Sequence, residues 1–552
     1  MTGTSGRLHG LATEAVPRAL LVSAAGNAAY LAFASEYDWH AGGLHLVAHG
    51  AFKPLLILNC AFLLAVLARP SDPRPQQSGH DPQHLMKWLA LLTPVLVACL
   101  YGASFAVNLA HNDWTHRFNS AAHPSVASIV RYFYEPQADG FYRPLTFISL
   151  WLDHRVFGDW PAGYHFQNLI LHTLNSLLVA RVALALGYSG RIAALATLVF
   201  AADPASAEPV LWPGARFDLL AAFFGLIAVA LGLRYVRTGS SRTLFLGAAA
   251  FVLALLSKES AFLVPLVLIV IWFSKKPAIG PAHGRWMRVV GAMVAIAAAM
   301  LVFRFSFFGG PGGYVQANGE TEQFKLTAKT LTSIASNTPG LTPFALNTAG
   351  NVSLWCRAIV AAYAALTVLV AWTYRPARGD PRRWLFILLL VAALPMANII
   401  GWIGPSLMNG RYLYAPAIWC SLLIASVLMR STRARLVMAA WIAVTGAAAF
   451  FNVYAQAAAL HQMDAAVRDV QSRCKQQGSC RCVDFVGIQE HHAGAYFFAY
   501  QLLTETQRAL PGIAVTVSPG LPPLTASKPS DRLDPACLTY SWSSGTGPRR
   551  VR

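Results

Sequence analysis

The chain has 552 residues, of which 55% are hydrophobic and only 12% are charged, and its mean hydropathy is +0.46. It carries 43 Lys and Arg against 24 Asp and Glu, a formal net charge of +19. A soluble protein of this length would divide into domains with alternating polar faces, and a membrane β-barrel would alternate apolar and polar residues. Long continuous apolar runs exclude both classes.

These apolar runs predict an all-α polytopic membrane protein. Crossing a bilayer takes about 17–25 mostly apolar residues. Runs such as FLVPLVLIVIWF and VVGAMVAIAAAMLVF reach that length once their flanks are added. We predict spans near residues 18–34, 45–68, 87–108, 164–185, 191–207, 217–236, 243–257, 260–274, 287–308, 352–374, 384–403, 412–429 and 436–453.

The first two spans form a predicted N-terminal extension, residues 1–85, that ends in the linker RPSDPRPQQSGHDPQH. Met86-Lys87-Trp88 and the apolar run after it then begin the main membrane domain, predicted at 86–453. Within this domain we place a first outer loop at 109–163.

Basic residues concentrate in alternate short loops. Under the positive-inside rule those loops are cytoplasmic, so most of the excess charge is a topology signal and no nucleic-acid partner is expected. Asp380 is the one acid among them. The basic residues are Arg181, Arg191, Arg234, Arg237, Arg242, Lys275, Lys276, Arg285, Arg288, Arg375, Arg378, Arg382, Arg383, Arg430, Arg433 and Arg435.

Residues 454–552 are polar and too poor in apolar runs to span a membrane, and we predict a small extracytoplasmic domain there. Disulfides are the expected use of cysteine on an oxidising face. CKQQGSCRC followed by His491-His492 could bind zinc instead, and this alternative stays open. The domain contains Cys474, Cys480, Cys482 and Cys537.

Acidic residues gather in the loops that the same topology places outside. Ionisable groups at a membrane face that are not topology signals are functional candidates. Lys258-Glu259 is the clearest case, because it separates two apolar runs with almost no loop. The outer acids are Asp113, Glu135, Asp139, Asp153, Asp159, Glu208, Asp218 and Glu259.

Five short motifs follow one another between about residues 87 and 430. They are Tyr142-Arg143-Pro144-Leu145, then His165, Asn168 and His172, then Glu208, Trp212, Arg216 and Asp218, then Ser257-Lys258-Glu259, and last Arg411-Tyr412-Leu413-Tyr414. In this order they resemble the GT-C superfamily of polytopic glycosyltransferases, closest to the O-mannosyltransferase-like proteins with transmembrane and tetratricopeptide regions. The chain departs from that family at Asn112-Asp113, where paired acids are usual, at Asp203, where His-Pro is common, and in lacking a tetratricopeptide tail.

The resemblance implies a GT-C-like bundle of about 11 core transmembrane helices. It also implies an enzyme that takes a sugar from a polyprenyl-phosphate carrier, in contact with membrane lipids, and passes it to a hydroxyl of a protein, glycan or lipid. We place the active site on the periplasmic side of a bacterial inner membrane. No cofactor or metal is required, although Asp113 with Glu135 could hold a divalent ion.

Roles for the matching residues follow from this chemistry. A carboxylate base activates the acceptor hydroxyl, and Asp113 is the first candidate with Glu135 and Asp139 as alternatives. Preorganised cations hold the leaving phosphate, and the candidates are Arg143, Arg216, Lys258 and Arg411. Further substrate contacts are assigned to Tyr142, His165, His172, Glu208, Asp218, Glu259 and Tyr412.

Each of these residues also has a structural interpretation. Arg143 could pair with Asp139, Arg216 with Asp218, and Arg411 could anchor the interface. His165 and His172 could be a satisfied buried pair on one helical face. Residues 145–160 are predicted to form an amphipathic helix on the membrane surface.

The rival functions are a transporter or flippase of a lipid-linked sugar or small solute, and a non-catalytic assembly subunit. A transporter should show broken helices and charges at mid-membrane depth. The sequence places most of its ionisable residues at helix ends instead.

Overall fold

The computed structural model describes residues 36–41, 44–49, 82–107, 109, 125–134, 141–275, 281–308, 382–394, 410–429, 434–476, 480–488, 502–503, 506–507, 509–519, 537–543 and 547–550. The three predicted carboxylate bases, Asp113, Glu135 and Asp139, lie outside these residues, as do the predicted spans 18–34 and 352–374.

Helices make up most of the described chain. In order they are α1 (Pro82–Tyr101), α2 (Pro144–Phe157), α3 (Pro161–Ala185), α4 (Gly190–Ala201), α5 (Ala207–Leu211), α6 (Arg216–Thr238), α7 (Ser241–Leu255), α8 (Val264–Lys275), α9 (Pro281–Phe308), α10 (Arg382–Ala393), α11 (Tyr414–Leu428) and α12 (Ala434–Gln476). Short 3₁₀ turns at 204–206, 213–215, 259–263 and 410–413 connect several of them.

Four described helical segments are long and apolar enough to cross a membrane: His84–Ala106, Pro161–Ala185, Pro213–Thr238 and Ala282–Phe307. The pair Gly190–Ala201 and Pro204–Leu211, bent by 44°, adds a fifth if it counts as one span. Large apolar side chains such as Leu91 and Val302 remain 60% and 65% exposed, as expected where a helix faces lipid. The chain is therefore an integral membrane protein.

Local sequence explains several helix boundaries. α2 and α3 begin at Pro144 and Pro161, where the missing N–H of proline costs no hydrogen bond. Ser189 caps α4 by accepting a hydrogen bond from the backbone N–H of Ile192. Gly239 caps the C-terminal end of α6, and its φ of 71° is a left-handed conformation that favours glycine.

The described chain is mostly helical, as predicted, but it is not all-α, because it also contains two β-sheets. Strands β1 (Glu36–Ala41) and β2 (Leu44–His49) pair antiparallel, with Glu36 opposite His49. The span predicted at 45–68 therefore does not begin as a helix. The sequence between the strands is Gly42-Gly43, a pair that favours two-residue hairpin turns.

The second sheet lies in the C-terminal region. It has the strand order β4-β3-β5-β6, formed by β3 (Cys482–Ile488), β4 (Ala514–Pro519), β5 (Leu538–Ser543) and β6 (Gly547–Arg550). β3 pairs parallel with β4 and β5, and β5 pairs antiparallel with β6.

Disulfides join Cys474 to Cys480 and Cys482 to Cys537. The prediction of disulfides is therefore confirmed, and these four cysteines are not zinc ligands.

The main apolar core of the described residues runs from the helices into the C-terminal sheet, and a small second cluster contains Leu109, Leu150 and Tyr164. α3 packs against α1, α4 and α6, while α11 packs against α4 and α10. α12 does not stop at the predicted span end at 453. It continues to Gln476. Near this end, Tyr540 of β5 donates a hydrogen bond of 2.8 Å to Asp469 of the helix.

Candidate functional site

Several chain segments meet where α2 begins and α7 ends. The backbone N–H of Leu145 donates to the carbonyl of Leu256 at 3.1 Å, and the Thr146 hydroxyl donates to the carbonyl of Ser257 at 3.2 Å. These bonds place Arg143 beside the Ser257-Lys258-Glu259 motif. Two residues more than 100 apart in the sequence therefore share one site.

Arg143 and Glu259 form the most exposed ion pair of this site. The Nε and Nη2 atoms of Arg143 donate to Glu259 Oε2 at 3.1 and 2.8 Å. The guanidinium also lies 4.0 Å from the ring centre of Phe141 and 4.3 Å from that of Phe217. Burial alone would raise the pKa of the Glu259 carboxyl, but the charges of Arg143 and Arg304 outweigh it and lower that pKa to about 2.

Lys258 and Arg411 extend this cluster. Lys258 binds the Asp218 carboxylate, and its ammonium lies 4.7 Å from the ring centre of Phe217 and 4.8 Å from that of Tyr412. The Arg411 guanidinium lies 4.9 Å from the same Tyr412 ring. Phe217 and Tyr412 therefore each lie between two cations, and three of the four predicted phosphate-binding cations are neighbours.

Arg411 is held from two directions by Glu208. Its Nη1 donates to Glu208 Oε1 at 2.5 Å, and its backbone N–H donates to Glu208 Oε2 at 3.0 Å. Both side chains are only 4% exposed. The Arg411 guanidinium also lies 5.4 Å from the ring centre of Trp212, in the same motif as Glu208.

Exposure decreases across the cluster. The Glu259 and Arg143 side chains are 26% and 12% exposed, Asp218 and Lys258 9% and 6%, and Glu208 and Arg411 4%. Arg143 is therefore the most exposed of the three cations in this cluster.

Arg216, the fourth predicted phosphate-binding residue, lies elsewhere. It is fully buried and forms an ion pair with Asp153, which is also fully buried. Its Nε donates to Asn168 Oδ1 at 2.8 Å, its Nη1 to the Ser149 hydroxyl at 3.1 Å, and its Nη2 to the carbonyl of Tyr164 at 2.9 Å. The predicted alternative, a pair between Arg216 and Asp218, is wrong, because Asp218 binds Lys258 instead. Positions two apart on a helix do not face each other.

Asp153 also corrects the prediction of a surface helix at 145–160. α2 does expose Leu152 and Val156, by 48% and 70%, but it buries Leu150, Trp151 and Asp153 against the protein. The helix is thus part of the bundle and not only an interfacial element.

The predicted substrate-binding histidines lie in the packed interior. His165 Nε2 is 3.2 Å from the carbonyl oxygen of Val107. His172 Nδ1 is 2.9 Å from the Tyr414 hydroxyl, and its Nε2 is 3.3 Å from the carbonyl oxygen of Ala201. Both ring nitrogens of His172 thus have partners, as the structural interpretation requires. His165 fits it only in part, because its Nδ1 is buried without a hydrogen-bond partner among the described residues.

Tyr142 is buried, and its hydroxyl donates to the carbonyl of Phe133 at 3.0 Å. The Arg304 guanidinium lies 5.3 Å from the centre of its ring, so Tyr142 packs against α9.

Two residues of the network were absent from the predicted site. The sequence places Asp153 among the acids of the first outer loop, and Arg304 lies inside the apolar run LVFRFSFF of α9. Arg304 is fully buried, and its Nη1 lies 3.3 Å from Glu259 Oε1. The signal that could have identified it is a single charge inside a predicted span, which marks a functional candidate by default.

Within the described residues no group of three His, Cys, Asp or Glu side chains could hold a metal ion. The acids predicted to hold one, Asp113 and Glu135, are not among those residues. Chemically, the described cluster is suited to an anion, because aromatic faces and carboxylates hold several cations in fixed positions.

Comparison with known proteins adds an independent observation. No protein-family model matches the chain. A protein O-mannosyl-transferase of Caenorhabditis elegans is 23% identical over 238 residues, 41% of this chain and 33% of that protein. One from Drosophila melanogaster is 36% identical over 135 residues, 23% of this chain and 14% of its own length. A human one is 26% identical over 151 residues, 26% of this chain and 16% of its own. The matched region thus spans a third or less of each relative.

Two solved structures show weaker likeness. The oligosaccharyltransferase of Archaeoglobus fulgidus, tethered to an acceptor peptide, gives a TM-score of 0.43 at 13% identity, over 79% of this chain and 64% of that one. ArnT from Cupriavidus metallidurans, bound to undecaprenyl phosphate, gives 0.41 at 11% identity, over 78% of this chain and 90% of that one. The sequence relatives confirm the resemblance that the five motifs predict, to O-mannosyl-transferases of the GT-C superfamily.

Proposed function

We propose that this chain is a membrane glycosyltransferase. It takes a sugar from a polyprenyl-phosphate-linked donor and passes it to an acceptor hydroxyl at the extracytoplasmic face. The observation that carries the proposal is the cluster of Arg143, Lys258 and Arg411, joined through the rings of Phe217 and Tyr412. Similarity to O-mannosyl-transferases supports a sugar as the transferred group and makes mannose the first one to test.

The leaving group of this reaction is an anionic lipid phosphate. Fixed cations stabilise such a group best when they are oriented before the reaction starts, in a site of low dielectric. Glu208 and Asp218 orient Arg411 and Lys258 in this way, while the partly exposed Arg143 offers a planar fork that can hold two phosphate oxygens.

We assign Arg216 a positioning role and not a contact with the sugar donor. Its guanidinium N–H groups bind Asn168, Ser149, Tyr164 and Asp153, and its side chain has no exposed surface. Arg216 therefore ties α2 and α3 to the start of α6, next to Phe217 and Asp218 of the cation cluster.

The acceptor hydroxyl needs a base, and the proposal keeps Asp113 in that role with Glu135 and Asp139 as alternatives. One base on the acceptor and one departing phosphate give a single displacement with inversion. The acceptor class (protein, glycan or lipid), the bacterial inner membrane, the periplasmic orientation and the boundaries 1–85, 86–453 and 454–552 belong to the same proposal. No step of it runs through a metal.

The test is sugar release from radiolabelled polyprenyl-phosphate hexoses, mannose first, by the purified chain in detergent. Wild type should release sugar, and Lys258→Met and Arg411→Met should each lose about 10²–10³-fold in rate, as when a charge-stabilising group is removed. Asp113→Asn should abolish release, with Glu135→Gln and Asp139→Asn as parallel variants. Arg237→Met, an exposed arginine in the last turn of α6, is the matched control and should keep full activity.

A carrier for a lipid-linked sugar is the second candidate. The 44° bend between α4 and the segment Pro204–Leu211 provides the broken helix that a carrier would show, and Arg304 is a fully buried charge, although it lies near the end of α9 rather than at its middle. Tight donor binding without release, combined with movement of the labelled donor between leaflets of reconstituted vesicles, would favour the carrier over the transferase.

A further inference from the structure

Arg304 is a buried cation that contacts the cluster through Glu259 and belongs to none of the five motifs. It lies about 35 Å along α9 from Pro281, which places it near the end of that helix. Its neighbours Val302 and Phe305 are 65% and 53% exposed, whereas Arg304 itself has no exposed surface. Its side chain thus points away from lipid and into the bundle.

The two oxygens of Glu259 are divided between two arginines. Oε2 accepts both hydrogen bonds from Arg143, and Oε1 lies 3.3 Å from Arg304 Nη1. Arg304 Nη2 also donates to the carbonyls of Tyr142 and Leu255, each at 3.1 Å. Arg304 therefore binds three places at once: Glu259, the backbone of Tyr142 next to Arg143, and the last residue of α7.

The two arginines differ in their access to the surface. Arg143 is 12% exposed and Arg304 is 0% exposed, so only Arg143 can turn toward a ligand that enters from outside. A carboxylate that loses its only cation in a largely buried place is strongly destabilised. Glu259 keeps a cation if Arg143 leaves, because its other oxygen still faces Arg304.

We infer that Arg304 is a positioning residue that holds the Glu259 carboxylate while Arg143 exchanges that carboxylate for the donor phosphate. This inference rests on the proposed function, since the ligand exchanged is the phosphate of the polyprenyl carrier. Arg143 is the mobile member of the pair. Arg304 lowers the free-energy cost of releasing Arg143, because Glu259 remains paired with a cation.

The test compares binding of undecaprenyl phosphate, which carries no sugar and reports on the phosphate site alone. Binding to the purified full chain in detergent is measured for wild type, Arg304→Met, Glu259→Gln and the double variant. In Arg304→Met, Arg143 is the one cation among the described residues that still binds Glu259, and Glu259 retains it. The dissociation constant should therefore rise about tenfold or more, the size of one charge-assisted hydrogen bond.

The double variant separates exchange from packing. Glutamine carries no charge and does not compete for Arg143, so Arg304→Met with Glu259→Gln should bind within about threefold of wild type. If Arg304 only fills space, the double variant will bind as weakly as Arg304→Met, and this result would overturn the inference. Arg288→Met, an exposed arginine on the same helix, is the control and should leave binding unchanged.

Two further outcomes keep the test decisive. If Arg304→Met does not fold, Glu259→Gln alone still tests the exchange, because it should bind at least as tightly as wild type and weaker binding would contradict the inference. Absence of undecaprenyl phosphate binding by wild type would overturn the proposed function as well. Binding without recovery in the double variant would overturn the exchange alone.

Discussion

Five buried or partly buried cations take part in the described ion-pair network, and burial separates their roles. Arg143, Lys258 and Arg411 are side by side and reach the surface to different degrees, whereas Arg216 and Arg304 have no exposed surface. A fully buried arginine that donates to several protein groups is a structural tie. A partly exposed one beside an aromatic face is available to a ligand.

Arg216 gives the clearest prediction at the residue scale. Arg216→Met leaves Asp153 as a buried carboxylate without its cation and removes three further hydrogen bonds. We expect a loss of about 3–5 kcal/mol of stability, the usual effect of breaking a buried pair from one side. The thermal unfolding midpoint of the purified protein in detergent measures it.

Two comparisons sharpen this experiment. Adding Asp153→Asn to Arg216→Met should restore part of the lost stability, because the uncompensated charge is then gone. Arg234→Met, an exposed position on the same helix, should leave the midpoint unchanged. A variant Arg216→Met that melts like wild type but no longer binds donor would show that Arg216 contacts the phosphate after all.

Sequence patterns identified many members of the site but not their partners. Arg143, Lys258, Arg411, Glu208, Asp218 and Glu259 all belonged to the motifs, and the structure brings them together. The pairs join residues between 40 and 203 positions apart. No local spacing encodes such pairs, which is why the sequence predicts the wrong alternative partner for Arg216 and does not identify Arg304.

At the scale of elements, the break between α4 and α5 positions Glu208. Asp203 accepts a hydrogen bond from the N–H of Ala205 at 3.1 Å and so starts the turn at Pro204. The Tyr101 hydroxyl donates to the carbonyl of Asp203 at 2.9 Å, and the Asn452 amide donates to that of Pro204 at 3.0 Å. Side chains from α1 and α12 therefore hold the break from which Glu208 reaches Arg411.

Asn452→Leu tests this bracing. The substitution keeps a similar volume but leaves the buried carbonyl of Pro204 without that donor, so we expect a loss of about 1–3 kcal/mol. Measured as the unfolding midpoint in detergent, the loss should exceed that of Ser426→Ala. Ser426 is also buried, but its one hydrogen bond among the described residues is to Leu423 of its own helix, at 2.6 Å. Equal effects of the two substitutions would mean that Asn452 does not brace the break.

Elements were predictable to the extent that they are apolar and continuous. α6 and α7 lie within two residues of the predicted spans 217–236 and 243–257, because lipid-facing helices require unbroken apolar runs. The end of α12 is not predictable from apolar runs, because its last part is not apolar. Beyond residue 453 its sequence is polar, and its contacts with the C-terminal sheet extend it where hydropathy does not.

At the scale of the whole molecule, α12 connects the membrane core to the C-terminal sheet. Its 43 residues are about 65 Å long, twice the thickness of a bilayer's hydrocarbon region. Its first part carries Asn452 against the α4–α5 break, and its last turns carry Asp469 against Tyr540. Cys474 near its end joins Cys480, and Cys482 joins Cys537 across β3 and β5.

These disulfides give a prediction about orientation. Disulfides persist on oxidising faces and not in reducing cytoplasm, so the C-terminal sheet should lie outside the cell membrane. In bacterial spheroplasts, a chain with Cys60, Cys99, Cys356 and Cys420 replaced by alanine should react with a membrane-impermeant maleimide only after reduction. In the described residues, Cys99 and Cys420 are the free cysteines, so their removal leaves the two pairs as the reporters there.

Arg237→Cys in a chain without other cysteines supplies the opposite reference. Arg237 is exposed in the last turn of α6, in a loop predicted to be cytoplasmic, and it should react only after the membrane is permeabilised. If the C-terminal cysteines instead react only after permeabilisation and without reductant, the orientation is reversed. The cation cluster gathers where α6 begins, at the opposite end of that helix from Arg237. Outer labelling of the C-terminal cysteines together with inner labelling at Arg237 would therefore place the proposed donor site on the extracytoplasmic side.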